Sequence, residues 1–373
     1  MAWTLPQYDK SEVNTAGRCL IADAGSTSVM ERDRMLDVIN NWRSSHSFPL
    51  QCIKMVLTKR SKTVDEKAIV AQRLKRLLSI DAKLRQHSTW MKLTQMQDIG
   101  GCRAIVRNVT CVERIVETYR KAVAKNPKRG YRLQKENDYI SHPKIDGYRS
   151  YHLIFRYRSL KRGYRPYNDL KIEIQIRSRL QHAWATALET VSTFTGQALK
   201  SSGGEENWRR FFVLMSAAIA IREKRAPVLG APHNKAELVD ELRALADQLN
   251  VEVVLEAWRI SLRQLAPKGV GKDTAAYLLH LDPAKETISS VPYTIQELPQ
   301  ASEAYLQLEK KIAAAPTPGA QAVLVSVNSL QALRKAYPNF YLDTTVFVEA
   351  LNYALLRMVK PPKIDTRQGA LFQ

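Results

Sequence analysis

DYISHPKIDGYRSYH (138–152) and LKIEIQIR (170–177) are the two stretches of this chain that indicate its fold most directly. Side chains of an extended strand alternate between two faces, so the second stretch predicts one apolar and one polar face. The apolar face holds Leu170, Ile172, Ile174 and Ile176, and the polar face holds Lys171, Glu173, Gln175 and Arg177. A carboxylate beside a guanidinium fits a metal-bound polyphosphate, because the carboxylate binds the cation and the guanidinium binds the anion. The alternative is an ordinary half-exposed strand.

The flanking segments predict a sheet with helices around it. YHLIFRY (151–157) and CRAIVR (102–107) are typical of strands, whereas 113–125 and the apolar positions of 180–191 repeat at helical spacing. Residues 65–85 predict a strongly basic helical region. Strands interleaved with helices indicate an α/β or α+β fold.

The net charge of +21 is unevenly distributed along the chain. Residues 1–200 hold 37 of the 57 Lys and Arg and only 18 of the 36 Asp and Glu, so this half carries nearly all the excess. A nucleotide site needs only a few cations, so the surplus favours a larger polyanion such as RNA. The alternative is a basic surface that aids solubility or binds nucleic acid without specificity.

Composition bounds the class of protein. The chain of 373 residues is 45% hydrophobic and 25% charged, as expected for a soluble globular protein of two or three domains. Its longest apolar run, FFVLMSAAIAI (211–221), is too short to span a bilayer, and MAWTLPQYDK lacks a secretory pattern, so we expect a cytoplasmic protein. The four cysteines form no CxxC pair, which predicts free thiols and no zinc site.

Three motifs in order, QDIGGCR (97–103), DYISHPKIDGYRSYH (138–152) and EIQIR (173–177), resemble the core motifs of the RelA/SpoT alarmone synthetase family. RLKRLLSIDAKLR (73–85) is similar to the basic ATP-holding segment of the same family. Three matches within about eighty residues are more specific than one short motif. The resemblance covers roughly residues 50–225 and implies a mixed sheet flanked by helices that transfers pyrophosphate from ATP to a ribose hydroxyl.

The resemblance also implies roles for individual residues. Asp98 and Glu173 would bind Mg²⁺, with Glu173 assisting deprotonation of the acceptor, and Gln175 and Arg177 would complete the catalytic strand. ATP would be held by Arg73, Lys75, Lys83 and Arg85. The acceptor would be held by Tyr148, whose ring stacks on its base, together with Lys144, Arg149 and His152. The structural alternatives are a turn or helix-capping role for Asp98 and a solvated basic helix face for 73–85.

We expect three parts: a pyrophosphotransferase domain (1–225), a helical linker (226–272) and a regulatory and sensor domain (273–373). From Ala275 onward a second α/β pattern appears, with near-neutral charge. Its architecture, and blocks such as LRKAYPNFYLDT (333–344), resemble the zinc-finger-like neutralising domain of fused toxic small alarmone synthetases, the CapRel type of the toxSAS group. Cysteine is absent after Cys111, so this domain would lack zinc ligands.

Three functions remain open. The toxSAS resemblance implies pyrophosphorylation of the 3′-terminal adenosine of tRNA, restrained by the C-terminal domain and released by a phage structural protein of the capsid type. The wider family resemblance implies synthesis of guanosine tetra- or pentaphosphate from GDP or GTP. The third reading is an inactive RNA-binding or interaction module. The presence of Asp98, Glu173 and Tyr148 together favours an enzyme, and the charge distribution favours tRNA as acceptor.

Overall fold

A computed structural model describes residues 3–22, 28–75, 77–87, 91–125, 131–195, 204–256, 273–282, 287–314, 320–326 and 340–358. The chain divides into two compact units. The first comprises Met1–Ile140 and Ser150–Arg179, and the second comprises Ser141–Arg149 and Leu180–Gln373. The predicted domain boundaries at 225 and 272 stay predictions.

The first unit is built on a five-stranded mixed sheet of order β1-β2-β5-β4-β3. Only the central pair, β2 with β5, is parallel, and the other three pairs are antiparallel. The strands are β1 Ile69–Leu74, β2 Gly100–Val106, β3 Tyr131–Asp138, β4 Tyr151–Tyr157 and β5 Lys171–Ser178. The helices are α1 Lys10–Ile21, α2 Val29–Ser45, α3 Ser47–Val64, α4 Leu77–Gln86 and α5 Val109–Lys125. The predicted mixed sheet flanked by helices is thus confirmed.

The alternation predicted for residues 170–177 is confirmed along β5. Ile172, Ile174 and Ile176 are fully buried, whereas Glu173 and Gln175 are half-buried. The apolar face packs with Leu153 and Phe155 and with helices α3 and α5, where it forms the main core of this unit. A second core joins α1, α2 and α4 to Tyr157, Tyr167 and Leu170. The polar face of β5 is therefore the face left for chemistry.

The prediction of a helical region over 65–85 is wrong in its first half. Residues Ile69–Leu74 form β1, which pairs antiparallel with β2, and only Leu77–Gln86 is helical. Pairing with a neighbouring strand overrides the weak local helix preference of a short segment. The correction places Arg73 on an edge strand and Lys83 on a helix.

The second unit combines helices with a small antiparallel sheet of order β7-β6-β8. Its strands are β6 Thr274–Asp282, β7 Thr287–Thr294 and β8 Gln321–Ser326. Its helices are α6 Arg179–Thr195, α7 Gly204–Arg222, α8 Lys235–Gln248, α9 Leu298–Ala314 and α10 Phe340–Arg357; Arg179 itself is assigned to the first unit. One apolar core joins α6, α7, α8 and α10 to Tyr277 and Leu279 of β6. The predicted second α/β pattern is thus observed in the described part of 273–373.

The linker predicted over 226–272 is helical only in part. Helix α8 ends at Gln248, and Asn250 has φ +47, a left-handed conformation that asparagine tolerates better than most residues. A further helical segment covers 251–256, so the described helical part of the linker is divided in two near Asn250. Residues 257–272 lie outside the described part of the chain, as do 327–339, which include half of the LRKAYPNFYLDT block. No helix in the described ranges is long and apolar enough to cross a membrane.

Candidate active site

Arg73, Gly101 and Glu173, from three predicted site segments, stand side by side on the polar face of the sheet. The parallel pairing of β2 with β5 places Gly101 beside Glu173, and the antiparallel pairing of β1 with β2 places Arg73 beside Gly101. Residues directly opposite on neighbouring strands share a face of the sheet, and neighbouring strands lie about 4.8 Å apart. Arg73 and Glu173 therefore stand on the same face, roughly 10 Å apart, with a glycine between them.

The two glycines of QDIGGCR serve opposite faces of β2. A Cβ atom on Gly100 would approach Ile172 Cδ1 to 2.6 Å, so the end of the Ile172 side chain would have to shift within the apolar core. A Cβ atom on Gly101 would meet only the Glu173 backbone oxygen, at 3.9 Å. Gly100 is thus closely packed against the core, whereas Gly101 leaves room on the polar face between Arg73 and Glu173.

Asp98 lies two residues before β2 and is held by two lysines. Lys75 Nζ lies 2.7 Å from Oδ2, and Lys83 Nζ lies 3.0 Å from Oδ1. Burial by itself raises the pKa of the Asp98 carboxyl, but the charges and hydrogen bonds of the two lysines outweigh it and hold that pKa below its usual value. The structure thus gathers an ionised carboxylate and two cations at the end of β2.

The Glu173 side chain is 13% exposed, and both of its carboxylate oxygens are held by neighbouring side chains. His152 Nδ1 lies 3.0 Å from Oε1, and Gln175 Nε2 donates to Oε2 at 2.7 Å. Burial raises the pKa of this carboxyl, but the hydrogen bonds of His152 and Gln175 and the charge of His152 together outweigh it, so the net shift is downward. The negative charge of Asp98 acts on the same pKa in the upward direction, which shows that the two carboxylates share one electrostatic environment.

Gln175 and Arg177 extend this arrangement along β5. Arg177 Nη2 donates to Gln175 Oε1 at 3.0 Å, while the amide nitrogen of Gln175 donates to Glu173. The guanidinium therefore fixes which way the amide points, and the amide in turn fixes the carboxylate. Three alternate residues of one strand act as a single hydrogen-bonded unit.

The donor set fits Mg²⁺. The ion prefers carboxylate oxygens and commonly takes only one or two of them, completing its shell with phosphates and water. Asp98 and Glu173 supply two such groups in one electrostatic environment, and both are held in the charged form. Among the described residues, no group of three or more His, Cys, Asp or Glu is placed to hold a metal ion.

The four residues expected to hold ATP are not all placed alike. Lys75 and Lys83 form salt bridges with Asp98. Arg73 is exposed on β1, on the same face of the sheet as Glu173. Arg85 binds elsewhere: its Nε lies 3.1 Å from Asp81, and Nη1 donates to the Ile21 carbonyl at 3.0 Å. That bond satisfies a carbonyl at the end of α1, a helix-terminating role. Contact of these residues with ATP stays a prediction.

The residues expected to hold the acceptor are divided between the units. His152 is on β4 of the first unit, bonded to Glu173. Lys144, Tyr148 and Arg149 belong to the loop Ser141–Arg149 of the second unit. Lys144 Nζ lies 5.1 Å from the centre of the half-buried Tyr148 ring, a cation–π contact.

Arg149 and Ser216 anchor this loop to α7. Arg149 is only 2% exposed; Nε donates to Ser216 Oγ at 3.0 Å and Nη2 to the Ala226 carbonyl at 2.7 Å. Burial lowers the pKa of its guanidinium to about 10. Ser216 Oγ in turn donates to the Gly147 carbonyl at 2.6 Å. Gly147 has φ +90, and a Cβ there would lie 3.0 Å from Ser216 Cβ, so glycine is needed on both counts.

Three features of the site were missed by sequence reasoning. The pairing of His152 with Glu173 and of the two lysines with Asp98 joins residues far apart in the chain and has no local signal. Ser216 was missed because it lies within an apolar helix. Arg103 had a signal: it alternates with Cys102 and Ala104 in β2 and pairs with Gln175, which places it on the polar face.

Comparison with known proteins locates the resemblance. Residues 72–194 match the family model described as "Region found in RelA / SpoT proteins". The matched segment holds the end of β1, all of β2 to β5 and every predicted site residue from Arg73 to Arg177. The chain is also 30% identical over 118 residues to GTP pyrophosphokinase YjbM of Bacillus subtilis (strain 168), which covers 31% of this chain and 52% of that protein. The chain thus spans about half the length of this curated relative.

Solved structures of similar proteins are smaller than this chain. Small alarmone synthetase 1 of Bacillus subtilis bound to its product pppGpp has 22% identity and a TM-score of 0.40, covering 52% of this chain and 94% of that one. A GTP pyrophosphokinase family protein of Streptococcus pneumoniae has 23% identity and a TM-score of 0.35, covering 47% and 85%. The narrower likeness to toxic fused synthetases stays a prediction.

Proposed function

We propose that this protein is an ATP-dependent pyrophosphotransferase that acts on a ribose hydroxyl. The observation that carries the proposal is the pair of ionised carboxylates: Asp98 is bonded by Lys75 and Lys83 just before β2, and Glu173 stands in one row with Arg73 on the sheet. Pyrophosphoryl transfer needs these parts: carboxylates for a cation, positive side chains for phosphate oxygens, and a base for the attacking hydroxyl. The RelA/SpoT match of residues 72–194 supports the same reaction class.

The proposed reaction transfers the pyrophosphoryl group of ATP to the acceptor hydroxyl and releases AMP. The acceptor hydroxyl attacks the β-phosphorus of ATP, the bond from that phosphorus to the α,β-bridging oxygen breaks, and AMP leaves. Glu173 accepts the hydroxyl proton, and its low pKa keeps it ready to do so at neutral pH. His152 and Gln175 hold one carboxylate oxygen each, so the base is oriented before the substrate binds.

Asp98 and Glu173 are the residues that would hold Mg²⁺, which when bound neutralises phosphate charge. In this structure both carboxylate oxygens of Asp98 form salt bridges, one with Lys75 and one with Lys83. We propose that both ammonium groups turn from Asp98 to the phosphates of ATP, exchanging one anionic partner for another. Such an exchange retains most of the charge pairing, which limits its cost.

For the acceptor we propose the 3′-terminal adenosine of tRNA, with Tyr148 stacking on the base. The excess of Lys and Arg in residues 1–200 supports a polyanionic acceptor over a mononucleotide. Transfer to tRNA should therefore weaken steeply as salt is raised, because bound cations are released from the nucleic acid. Transfer to a mononucleotide should respond much less.

GDP or GTP is the second candidate acceptor. The relative at 30% identity is named a GTP pyrophosphokinase, and this favours a guanosine nucleotide as the acceptor here. The two candidate reactions use the same pyrophosphate donor, ATP, and the same base, Glu173, and differ only in the molecule that carries the attacking hydroxyl. An inactive binding module is disfavoured, because a fold retained only for binding has no need of two enclosed, ionised carboxylates.

For residues 273–373 we propose a regulatory role, with a phage structural protein as the activating partner. Support comes from the toxSAS resemblance and from the packing of α10 against α7, the helix that anchors the Tyr148 loop. Activation then requires the partner to bind one arrangement of this module more tightly than the other.

The deciding experiment incubates the full-length protein with γ-labelled ATP and either deacylated tRNA or GDP, with Glu173→Gln as the inactive control. Label on tRNA establishes the first acceptor, and label on GDP alone moves the assignment to guanosine polyphosphate synthesis. The regulatory domain is addressed by repeating the assay with a phage capsid protein added. A wild-type protein that labels neither acceptor under any of these conditions would contradict the proposed reaction.

A further inference from the structure

The loop between β4 and β5 is an exposed and strongly basic surface in the first unit. Residues 156–171 contain six Lys or Arg and a single acidic residue, Asp169. Asp169 is already shared by two arginines, with Arg158 Nη2 at 3.3 Å and Arg156 Nη1 at 3.8 Å. Lys171, the first residue of β5, donates to the Gln95 carbonyl at 3.1 Å, and the other three cations are exposed with no carboxylate partner among the described residues.

Three of these cations lie at the tip of the loop. Lys161, Arg162 and Arg165 are exposed, and none of them forms an ion pair with a described residue. Arg165 Nε instead donates to the Leu160 carbonyl at 3.2 Å, which braces the turn. Three like charges within five residues repel one another, so the fold itself gains nothing from them.

An aromatic stack holds this loop in place. Tyr164 stacks on Phe48 of α3 with ring centres 4.8 Å apart and planes 12° apart. Trp3 packs on the same Phe48 at 5.7 Å, and Tyr167 donates to the Trp3 carbonyl at 3.3 Å. Tyr164 and Trp3 nevertheless remain 41% and 47% exposed. The loop therefore presents one fixed, partly exposed ring, Tyr164, between its cations.

The loop also lies close to the candidate catalytic base. Glu173 pairs with Ile154 across the hairpin, and the hairpin ends three residues further on, at Tyr157. At about 3.3 Å per residue, the loop begins roughly 10 Å from Glu173. A polynucleotide with its terminal ribose at Glu173 would reach the loop by running along β4 towards Tyr157.

We propose that Lys161, Arg162, Tyr164 and Arg165, the loop surface, form a binding site for the backbone of RNA, with one unpaired base stacked on Tyr164. This deepens the proposed function, because it rests on a polynucleotide acceptor at Glu173. Cations interleaved with a fixed aromatic ring are the combination that single-stranded nucleic acid requires. An anionic membrane would instead favour several exposed aliphatic side chains, and the loop offers only Leu160.

The test measures binding of fluorescein-labelled, deacylated tRNA to the full-length protein without ATP, by fluorescence anisotropy over a range of salt. The triple variant Lys161→Ala/Arg162→Ala/Arg165→Ala should weaken binding at least tenfold near 100 mM salt. It should also reduce the slope of log K against log salt by about two, since each phosphate contact contributes about 0.7 to 0.9. Tyr164→Ala should weaken binding about tenfold, whereas Tyr164→Leu, which keeps bulk without a π face, should weaken it nearly as much.

The matched control is Lys59→Ala/Lys62→Ala/Lys67→Ala, which removes the same charge from exposed positions on α3 and the turn after it. Equal weakening by both triple variants would overturn the proposal, because net charge alone would then explain it. Loss of binding to phosphatidylserine vesicles with unchanged tRNA binding would also overturn it and assign the loop to a membrane. Should the triple variant not fold, the single change Arg162→Glu carries the same test.

Transfer of label from ATP is measured in parallel and separates the two proposals. Loop-dependent tRNA binding without any tRNA labelling supports the loop surface and contradicts tRNA as acceptor. Full tRNA labelling and unchanged binding by the triple variant overturns the loop surface and leaves the proposed function intact.

Discussion

His152 Nδ1 lies 3.0 Å from Glu173 Oε1, across the antiparallel pairing of β4 with β5. The imidazole is the main reason that an enclosed carboxylate stays ionised, since burial acts in the opposite direction. The contact links a residue of the DYISHPKIDGYRSYH motif to a residue of EIQIR. It makes His152 a positioning residue for the candidate base.

The first prediction concerns pH. In His152→Ala we expect the Glu173 pKa to rise, because burial and the Asp98 charge then act without their main counterweight. The acidic limb of log(kcat/KM) against pH should move to higher pH in labelled-ATP assays. Gln175→Ala, which removes the other hydrogen bond, should move it less. An acidic limb at the wild-type position in a folded His152→Ala variant would show that this histidine does not lower the pKa of Glu173.

The second prediction concerns the two carboxylates. Glu173→Gln and Asp98→Asn should each lower kcat by roughly 10²- to 10⁴-fold, the usual worth of a positioned base or an essential charge. The double variant should be little worse than either single one, because residues that act as one unit are not additive. Single-turnover kinetics with purified, folded variants measure this. Near-normal turnover by Glu173→Gln would show that Glu173 is not the catalytic base.

The same carboxylates predict how stability depends on pH. Both folded-state pKa values lie below the ordinary values, near 4, so both groups stabilise the fold fully above that pH. Their contribution is lost as the pH falls through the lower folded-state values. Urea unfolding between pH 6 and 3 should show a falling free energy of unfolding, with a shallower fall in Asp98→Asn. A slope unchanged by Asp98→Asn would mean that the lysine pair does not depress this pKa.

The third prediction uses the two neighbouring glycines of β2. Gly101→Leu should leave the melting temperature within a few degrees of wild type but abolish ATP binding, because the side chain fills the gap between Arg73 and Glu173. Gly100→Ala should destabilise the fold by about 1–3 kcal/mol, because its Cβ meets Ile172 in the core. Calorimetry and titration with a fluorescent ATP analogue distinguish the two. Undiminished ATP affinity in Gly101→Leu would place the nucleotide elsewhere.

The fourth prediction concerns the loop that carries Tyr148. Ser216→Ala leaves Arg149 Nε and the Gly147 carbonyl without their shared partner, which should cost about 1–3 kcal/mol of stability. The KM for the acceptor should rise while the KM for ATP stays close to wild type. Tyr148→Ala should raise the acceptor KM further, and Tyr148→Phe should not. Equal changes in both KM values would indicate general loosening of the fold.

The fifth prediction concerns regulation by α10. The Arg222 guanidinium lies 4.3 Å from the centre of the Tyr353 ring, which links α7 to α10. Tyr353→Ala should weaken this contact by about 0.5–2 kcal/mol and raise basal transfer several-fold if α10 restrains the enzyme. Tyr353→Phe keeps the ring and serves as the control. Deleting 273–373 outright is less informative, because Phe347 packs directly on Phe211 and Phe212. A stable Tyr353→Ala protein with unchanged basal transfer would contradict restraint through this contact.

Several elements of the fold were determined by the sequence alone. The alternation in LKIEIQIR predicted both the β5 strand and the face on which Glu173 stands, because a period of two is a property of a single strand. YHLIFRY was predicted only as a strand, and it forms β4 with the predicted bounds. The basic segment 65–85 was wrong in part, because β1 exists only through its pairing with β2.

The partners of the site residues were decided only by the tertiary structure. The register of β2 against β5 brings Gly101 beside Glu173, and the return of the chain through β4 brings His152 onto the same carboxylate. Asp98 is bonded to lysines 23 and 15 residues earlier. Motifs indicate which side chains are chemically equipped to act. Which of them touch depends on strand register and helix packing, and those are set by the whole buried core, which no local pattern records.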